Sequence, residues 1–302
     1  MSNLLLFGAG ASAHSGACFP NLPEEGTALF AALAKEGTAK KLDARFGKLF
    51  RERFEAGMDA VRSDADEYTT PLLIQMAKYL SVFAPGPTNF YVQLFSTLAE
   101  QGIPYRVATT NYDLLIERSL AVTGSNAIYS VPPAILRTPP AGVTVLKIHG
   151  SCNFFPDLGS NNFRGVTFKN NRTNFSGPVR VASHPEDMNR FLTGDTGLAP
   201  AMALYSEAKE VLFCPEFVQQ QQRHFADLVS CARKIFIVGL RVNARDPHIW
   251  SVLAASQASL FYVSPEEADF NDWVLRNRRA NATCLAQTFE ESIARIPRVA
   301  MD

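Results

Sequence analysis

The chain has 302 residues, 47% of them hydrophobic and 19% charged, and 29 basic residues balance 29 acidic ones. This composition excludes a disordered or collagen-like chain. The absence of a basic surplus argues against strong direct nucleic-acid binding. The five cysteines are widely spaced with no C-x-x-C pair, which excludes a disulfide framework or zinc ribbon. No apolar run reaches the roughly 18–20 residues of a membrane span, and residues 1–8 lack the basic segment of a signal peptide. We therefore expect a cytoplasmic protein without a membrane partner.

Strands and helices alternate in the N-terminal half. An apolar run at Asn3–Phe7 predicts a buried strand that ends in a glycine-rich turn. Apolar residues at three- and four-residue steps predict helices within 24–88 and again over 90–98. Residues 105–109 predict a strand, residues 113–120 a helix, and residues 143–148 a second buried strand.

The C-terminal half begins with residues 155–198, which are rich in Asn, Gly, Ser and Pro. They predict an inserted lobe or large loop with only short β-like pieces, such as 179–181. Periodicity returns with helices over 217–232, 248–255 and 266–278 and from 290, alternating with strands over 235–238, 260–263 and 282–285. This alternation predicts an α/β fold with a Rossmann-like, doubly wound parallel sheet. We expect one domain over 1–302, with a helical insertion (24–88) and a small irregular inserted lobe (155–198).

The glycine-rich turn has the sequence Gly8-Ala9-Gly10-Ala11-Ser12. Gly8 permits a tight turn, and Gly10 lets backbone N–H groups approach a pyrophosphate at a helix N-terminus. The alternative is a strand-to-helix turn without a ligand. A dehydrogenase would carry an acidic residue at the end of the next strand, whereas Glu24 and Glu25 follow a proline. We therefore expect a dinucleotide site that does not transfer hydride.

Five further segments extend this pattern in order along residues 4–265. They are Ser15-Gly16 with Pro20, Thr109-Thr110-Asn111-Tyr112-Asp113, Lys147-Ile148-His149-Gly150-Ser151, and the late strand ends Ile237-Val238-Gly239-Leu240 and Tyr262-Val263-Ser264-Pro265. Together with the glycine turn they resemble the sirtuin family. The resemblance implies that NAD⁺ is bound as a substrate.

The chain also departs from the sirtuin deacylases. Their structural zinc is held by two C-x-x-C pairs, but this region contains only Cys152 and Cys214, so we expect no zinc and no other metal site. Phe19-Pro20-Asn21-Leu22-Pro23 stands where the deacylases carry an arginine. The pattern is similar to the zinc-free sirtuin-like NADases of bacterial anti-phage defence. That resemblance implies an NAD⁺ glycohydrolase that releases nicotinamide and ADP-ribose and depletes NAD. The alternatives are a protein deacylase and a non-catalytic nucleotide-sensing module.

The resemblance also assigns roles to particular residues. Asn111 offers a donor and an acceptor to ribose hydroxyls or water, although a strand-end turn also suits asparagine. His149 would accept a proton as the second catalytic residue. The expected NAD-binding residues are Gly8, Ala9, Gly10, Ser12, Asp113, Gly239 and Leu240. For Ser12, phosphate contact and helix capping remain open.

Other polar residues receive ordinary interpretations. Asp113 also suits the N-cap of the following helix. Asp246, before Pro247, is interpreted as a helix cap, and the remaining histidines as ordinary (His14, His184, His224 and His248).

A freely active NAD hydrolase would be toxic, so its activity should be controlled from outside the catalytic core. We expect a homo-oligomer, a partner protein such as an ATPase or nucleic-acid sensor, or both. Residues 24–87 and 155–198 are the candidate contact surfaces, because the catalytic motifs do not use them. The trigger, the oligomeric state and the choice between plain and cyclised ADP-ribose stay open.

Overall fold

The structure is a computed structural model that describes residues 3–129, 142–159, 165–169, 172–193, 198–204 and 209–301. Its first half contains β1 (Asn3–Phe7), α1 (Ala9–Ala13), β2 (Gly16–Phe19), α2 (Gly26–Leu33), α3 (Gly37–Lys41), α4 (Ala44–Glu52), α5 (Phe54–Asp64), α6 (Thr69–Leu80), β3 (Ala84–Asn89), α7 (Phe90–Glu100), β4 (Tyr105–Thr109), α8 (Leu115–Val122), β5 (Ala127–Tyr129) and β6 (Val143–Lys147).

The second half begins with short strands and a helix in the region predicted to be irregular. Its elements are β7 (Phe154–Pro156), β8 (Gly165–Lys169), β9 (Arg172–Ser176), β10 (Val179–Val181), α9 (Pro185–Thr193), α10 (Pro215–Cys231), β11 (Lys234–Val238), α11 (Pro247–Ala255), β12 (Ser259–Val263), α12 (Glu267–Arg276), β13 (Ala282–Ala286) and α13 (Phe289–Met301).

A seven-stranded sheet in the order β13-β12-β11-β1-β4-β6-β5 forms the centre of the fold, and every neighbouring pair is parallel. All five residues of β1 are buried, as expected for a strand covered by helices on both faces. From β1 the chain builds one half of the sheet through β4, and later returns to the other side of β1 with β11. The predicted doubly wound α/β sheet is confirmed. Its topological switch point lies at β1, where such folds bind ligands beyond the carboxyl ends of the strands.

Helices α2–α6 confirm most of the predicted helical segment. Aromatic side chains pack them together, with the rings of Phe30 and Phe50 stacked 4.1 Å apart. Phe154, the first residue of β7, and Phe175 from the inserted lobe join the same buried cluster. The segment ends differently from the prediction, because residues 84–89 form β3, which pairs antiparallel with β2. Two prolines hide this strand in the sequence, and a two-stranded ribbon tolerates them because each of its strands has an unpaired edge.

The inserted lobe has more regular structure than its composition suggests. Strands β7 and β10 pair antiparallel, as do β8 and β9, and α9 follows them. The short β-like piece predicted at 179–181 is β10. Strands β8 and β9 and helix α9 were not predicted, since short pairs of strands lack a long apolar run. Residues 160–164, 170–171 and 194–197 of this predicted lobe lie outside the described residues. Among the described helices, none combines the length and the apolar character that crossing a membrane requires.

Candidate active site

The glycine turn after β1 packs directly against the turn after β11. Gly8 donates its N–H to the Val238 carbonyl at 2.9 Å, and Gly10 donates to the Gly239 carbonyl at 3.0 Å. A Cβ on Gly239 would lie 2.1 Å from the Ala11 nitrogen, and its φ of +61° also favours glycine. The N–H of Gly10 is thus bonded within the protein. These glycines join two strand ends and fix the floor of the crevice.

A cavity that is partly open to solvent lies beside this junction. Its walls come from α1, from the loop after β4 and from the helical segment; they are Ala9, Ser12, Ala13, Pro23, Glu24, Glu25, Leu29, Leu80, Asn111, Tyr112 and Asp113. The structure therefore brings together four of the predicted site residues, Ala9, Ser12, Asn111 and Asp113. The helical segment also lines the cavity, so the expectation that its surface is separate from the catalytic motifs is wrong.

Asn111 is held in one orientation by its neighbours. Thr109 Oγ1 accepts a hydrogen bond from the Asn111 backbone N–H at 3.0 Å. The Asn111 Nδ2 donates to the Gly8 carbonyl and to Ser12 Oγ, both at 2.9 Å. Because the Gly8 carbonyl only accepts hydrogen bonds, the amide cannot turn over without losing that bond. Asn111 Oδ1 is left buried and without a hydrogen-bond partner among the described residues.

Ser12 supports Asn111 from the other side. Its hydroxyl lies 3.2 Å from the hydroxyl of the fully buried Tyr91. Helix α1 has Gly8 as its N-cap, and within the described structure no side chain caps that end. The capping interpretation of Ser12 is therefore wrong. Ser12 instead links Tyr91 to Asn111.

Asp113 lies at the start of α8, and its Oδ1 accepts a hydrogen bond from the Leu115 N–H at 3.0 Å. The predicted N-cap role is wrong, because α8 begins two residues later than expected and its N-cap residue is Leu114, which makes no side-chain cap hydrogen bond. Burial raises the pKa of the Asp113 carboxyl, and the Lys147 ammonium opposes this rise. Lys147 is fully buried, donates to the Asp113 carbonyl at 2.6 Å and pairs with Glu117 at 3.1 Å. Neither Lys147 nor Glu117 is predicted from the sequence as part of this site.

His149 follows β6 and is only 4% exposed. Its Nε2 lies 2.8 Å from Nε2 of His248 and 4.0 Å from Oδ1 of Asp246. Burial lowers the pKa of His149 well below its usual value, and Lys209 and His248 lower it further. The imidazole is therefore neutral near pH 7. His149 does not belong to the cavity wall that contains Asn111.

One interpretation from the sequence is wrong, and a second is correct in part. His248 is not an ordinary histidine, because its ring lies against His149. Asp246 occupies the predicted N-cap position of α11, and its backbone carbonyl accepts from the Trp250 N–H at 3.0 Å, but among the described residues its side chain makes no cap hydrogen bond to that helix. Its Oδ2 accepts from Asn243 Nδ2 at 3.0 Å, and its Oδ1 is buried with no partner in the described part of the chain. The sequence signal was Asp246-Pro247-His248, but only the fold shows that it meets His149.

Gly239 and Leu240 lie outside the wall of the Asn111 cavity. Leu240 is buried and packs with the apolar side chains on one face of the sheet. Gly239 contacts the glycine turn through its backbone. The predicted role of both residues in NAD binding stays a prediction.

No protein-family model matches the sequence, and no curated protein matches it. Solved structures do match. A Sir2 homologue in complex with NAD is 16% identical, with a TM-score of 0.51 over 100% of this chain and 91% of that chain. A Sir2 protein bound to an acetylated peptide is also 16% identical, with a TM-score of 0.50 over 99% of this chain and 92% of that chain. The resemblance seen in the sequence thus holds at the level of the fold, and the chain has the fold of the Sir2 proteins.

Proposed function

We propose that the chain hydrolyses the bond between nicotinamide and ribose in NAD⁺, releasing nicotinamide and ADP-ribose. The observation that carries this proposal is the unpartnered Oδ1 of Asn111, a buried acceptor on a residue of the cavity wall at the switch point of the sheet. A buried acceptor without a partner is costly unless a ligand or water uses it. The NAD complex of the similarly folded Sir2 homologue supports NAD⁺ as that ligand.

The chemistry requires a site that tolerates an oxocarbenium-like ribose and directs a water to it. Asn111 Oδ1 would accept a hydrogen bond from this water or from a ribose hydroxyl. As the C1′–nitrogen bond breaks, its electron pair leaves with nicotinamide and the water oxygen bonds to C1′. The proton lost by water passes to a base. Neutral His149 has the acceptor character for this step.

The sheet explains how two residues far apart in sequence could share one substrate. The Ile148 N–H donates to the Thr109 carbonyl at 2.9 Å, so Asn111 and His149 follow neighbouring strand ends. Under the proposal, the ribose reaches from the Asn111 cavity toward His149. Asp113 would bind the nicotinamide carboxamide, for which its buried carboxyl supplies hydrogen-bonding oxygens.

The cysteines favour hydrolysis over the deacylase alternative. Cys152 and Cys214 are buried in different apolar clusters. Burial raises the pKa of each thiol to about 12, whereas zinc binds thiolates. This environment suits packing rather than a structural zinc.

We also propose, on the resemblance to the defence NADases, that the enzyme depletes NAD during anti-phage defence. Its activity would be latent until self-assembly or a partner protein releases it. The helical segment offers a direct route for such control. Because Pro23, Glu24, Glu25, Leu29 and Leu80 belong to the cavity wall, binding on this segment would reshape the cavity itself.

The test is to incubate the purified chain with NAD⁺ and measure nicotinamide and ADP-ribose, with and without an acetylated peptide. The reaction is repeated at low and high protein concentration. Hydrolysis without the peptide, increasing per chain with concentration, is the expected result. Turnover only with the peptide, yielding O-acyl-ADP-ribose, would identify a deacylase. Binding of NAD⁺ without turnover under every condition would identify a sensing module.

A further inference from the structure

The His149 cluster, defined as His149, Asp246 and His248, has the composition of a metal site. One nitrogen from each imidazole and one carboxylate oxygen all lie within 4.8 Å of one another. His149 comes from the end of β6, whereas Asp246 and His248 come from the start of α11. Two separate elements therefore bring these three donors together beneath the surface.

Asp246 provides the independent sign of a missing ligand. Asp246 is 6% exposed, and its Oδ1 is buried with no hydrogen-bond partner in the described part of the chain. A carboxylate oxygen in that position lacks the hydrogen bonds that normally offset its desolvation. The other oxygen is fixed by Asn243, an arrangement typical of the outer-shell bonds that orient metal ligands.

The distances suit a small cation after a modest movement. The two histidine nitrogens are 2.8 Å apart, and Asp246 Oδ1 is 4.0 Å from His149. Metal–ligand bonds of 2.0–2.1 Å place neighbouring tetrahedral donors about 3.3 Å apart, between these two values. Two imidazoles and a carboxylate are ligands that Zn²⁺ favours, with a fourth position left for water.

We propose that His149, Asp246 and His248 bind a divalent cation of the Zn²⁺ class and that the bound cation holds NAD⁺ hydrolysis off. Both imidazoles face the site with Nε2, and a nitrogen that binds the cation cannot carry a hydrogen. The ring whose hydrogen is on Nε2 therefore takes the other neutral tautomer, with the hydrogen on Nδ1, and no bond between heavy atoms changes. The cation then occupies the lone pair that His149 would use as a base. The proposal that the cation inhibits hydrolysis, its inhibitory half, rests on the proposed function. The proposal that the three residues bind a cation does not.

Binding is tested first, on the full chain stripped with a chelator. Zn²⁺ is titrated calorimetrically, and metal content is measured after dialysis. We expect the wild type to bind one ion per chain. Asp246→Asn and His248→Ala should each lower the affinity for Zn²⁺ by more than about a hundredfold, because even outer-shell partners contribute about 10–100-fold. His184→Ala, at an exposed histidine outside the cluster, is the matched control. Substitution with Co²⁺ gives a second readout through its visible absorption. Absence of stoichiometric binding, or equal binding by all variants, would overturn the site.

Inhibition is tested separately by comparing nicotinamide release from the metal-free and Zn²⁺-loaded wild type at the same concentration. At least tenfold slower release after loading is expected. Equal rates would refute the inhibitory half. If Zn²⁺ binds as predicted but neither form releases nicotinamide, the proposed hydrolysis fails while the metal site stands.

Discussion

Two buried polar groups lie at the carboxyl edge of the same sheet, and each leaves one oxygen without a hydrogen-bond partner among the described residues, Asn111 Oδ1 and Asp246 Oδ1. In the Asn111 network, defined as Asn111, Ser12, Tyr91 and the Gly8 carbonyl, both hydrogens of the Asn111 amide have partners, so the free oxygen is held in one orientation. In the His149 cluster, the two imidazoles are joined by a hydrogen bond between their Nε2 atoms, and this bond must break before both nitrogens can bind a cation. The first group is therefore already arranged to accept a hydrogen bond from a ligand, whereas the second must rearrange to bind one, as a switch does.

The largest effect is expected when one functional group is removed from the Asn111 network and one from the His149 cluster. Asn111→Ala and His149→Ala should each slow NAD⁺ cleavage by at least about a hundredfold, the scale expected for positioned acid–base and orienting groups. Single-turnover nicotinamide release measures the effect, and thermal unfolding checks that each variant folds. Full turnover by both variants would show that neither residue is catalytic.

The junction beneath the Asn111 network provides a test on stability. Gly239→Ala should lower the free energy of unfolding by about 2–3 kcal/mol, because its new Cβ would strike the Ala11 backbone. Gly102→Ala is a matched control with almost the same φ, +62°, and with no described atom within 4 Å of the added Cβ. It should cost only about 1 kcal/mol. Urea unfolding measures both, and equal losses would mean that backbone conformation alone requires glycine at residue 239.

The sequence predicted the strands that local patterns encode. Apolar runs identified β1, β4 and β6, whereas Asn111 and His149, which follow β4 and β6, were identified by the resemblance to the sirtuins. The contact between His149 and His248 could not be predicted in this way, because it depends on how the loop after β11 crosses the sheet edge. The local capping rule placed Asp246 correctly before α11, but it could not show that Oδ1 of this residue lies 4.0 Å from His149. Strand β3 was missed for a related reason, since its prolines oppose a strand locally and its pairing with β2 tolerates them.

Support within the Asn111 network can be measured with a smaller change. Ser12→Ala removes one acceptor from Asn111 and one partner from Tyr91, so we expect about a tenfold loss in kcat/KM, or about 1.4 kcal/mol. Tyr91→Phe is the companion variant, because it leaves the bond between Ser12 and Asn111 intact. It should change kcat/KM by no more than about twofold. If the two variants lose the same activity, Ser12 acts through Tyr91 and does not position Asn111.

The smallest expected effect concerns Asp113. Its buried carboxyl is proposed to bind the substrate, but burying this group lowers the stability of the fold. Its pKa is raised in the folded protein chiefly by burial. Between the unfolded value, 3.8, and the folded value, the native state therefore holds more protons than the unfolded chain. Stability falls as pH rises through this window, and the full loss is present above it. Asp113→Asn keeps an oxygen that can accept from Leu115 but removes the buried charge.

We therefore expect Asp113→Asn to stabilise the protein at pH 7 by about 0.5–1 kcal/mol, as replacements at strained functional sites commonly do. The gain should shrink as the pH falls toward 3.8. Glu117→Gln is the companion variant and should have the opposite effect. It removes the carboxylate that pairs with the fully buried Lys147, so it should lower the free energy of unfolding. Urea titrations of both variants between about pH 4.5 and 7.5 measure the free energy of unfolding above the usual carboxyl pKa of about 4. The opposite signs expected for the two variants distinguish the two carboxylates. A loss of stability in Asp113→Asn at pH 7 would show that its attraction to Lys147 outweighs its desolvation, and the carboxylate would then support the fold as well as the site.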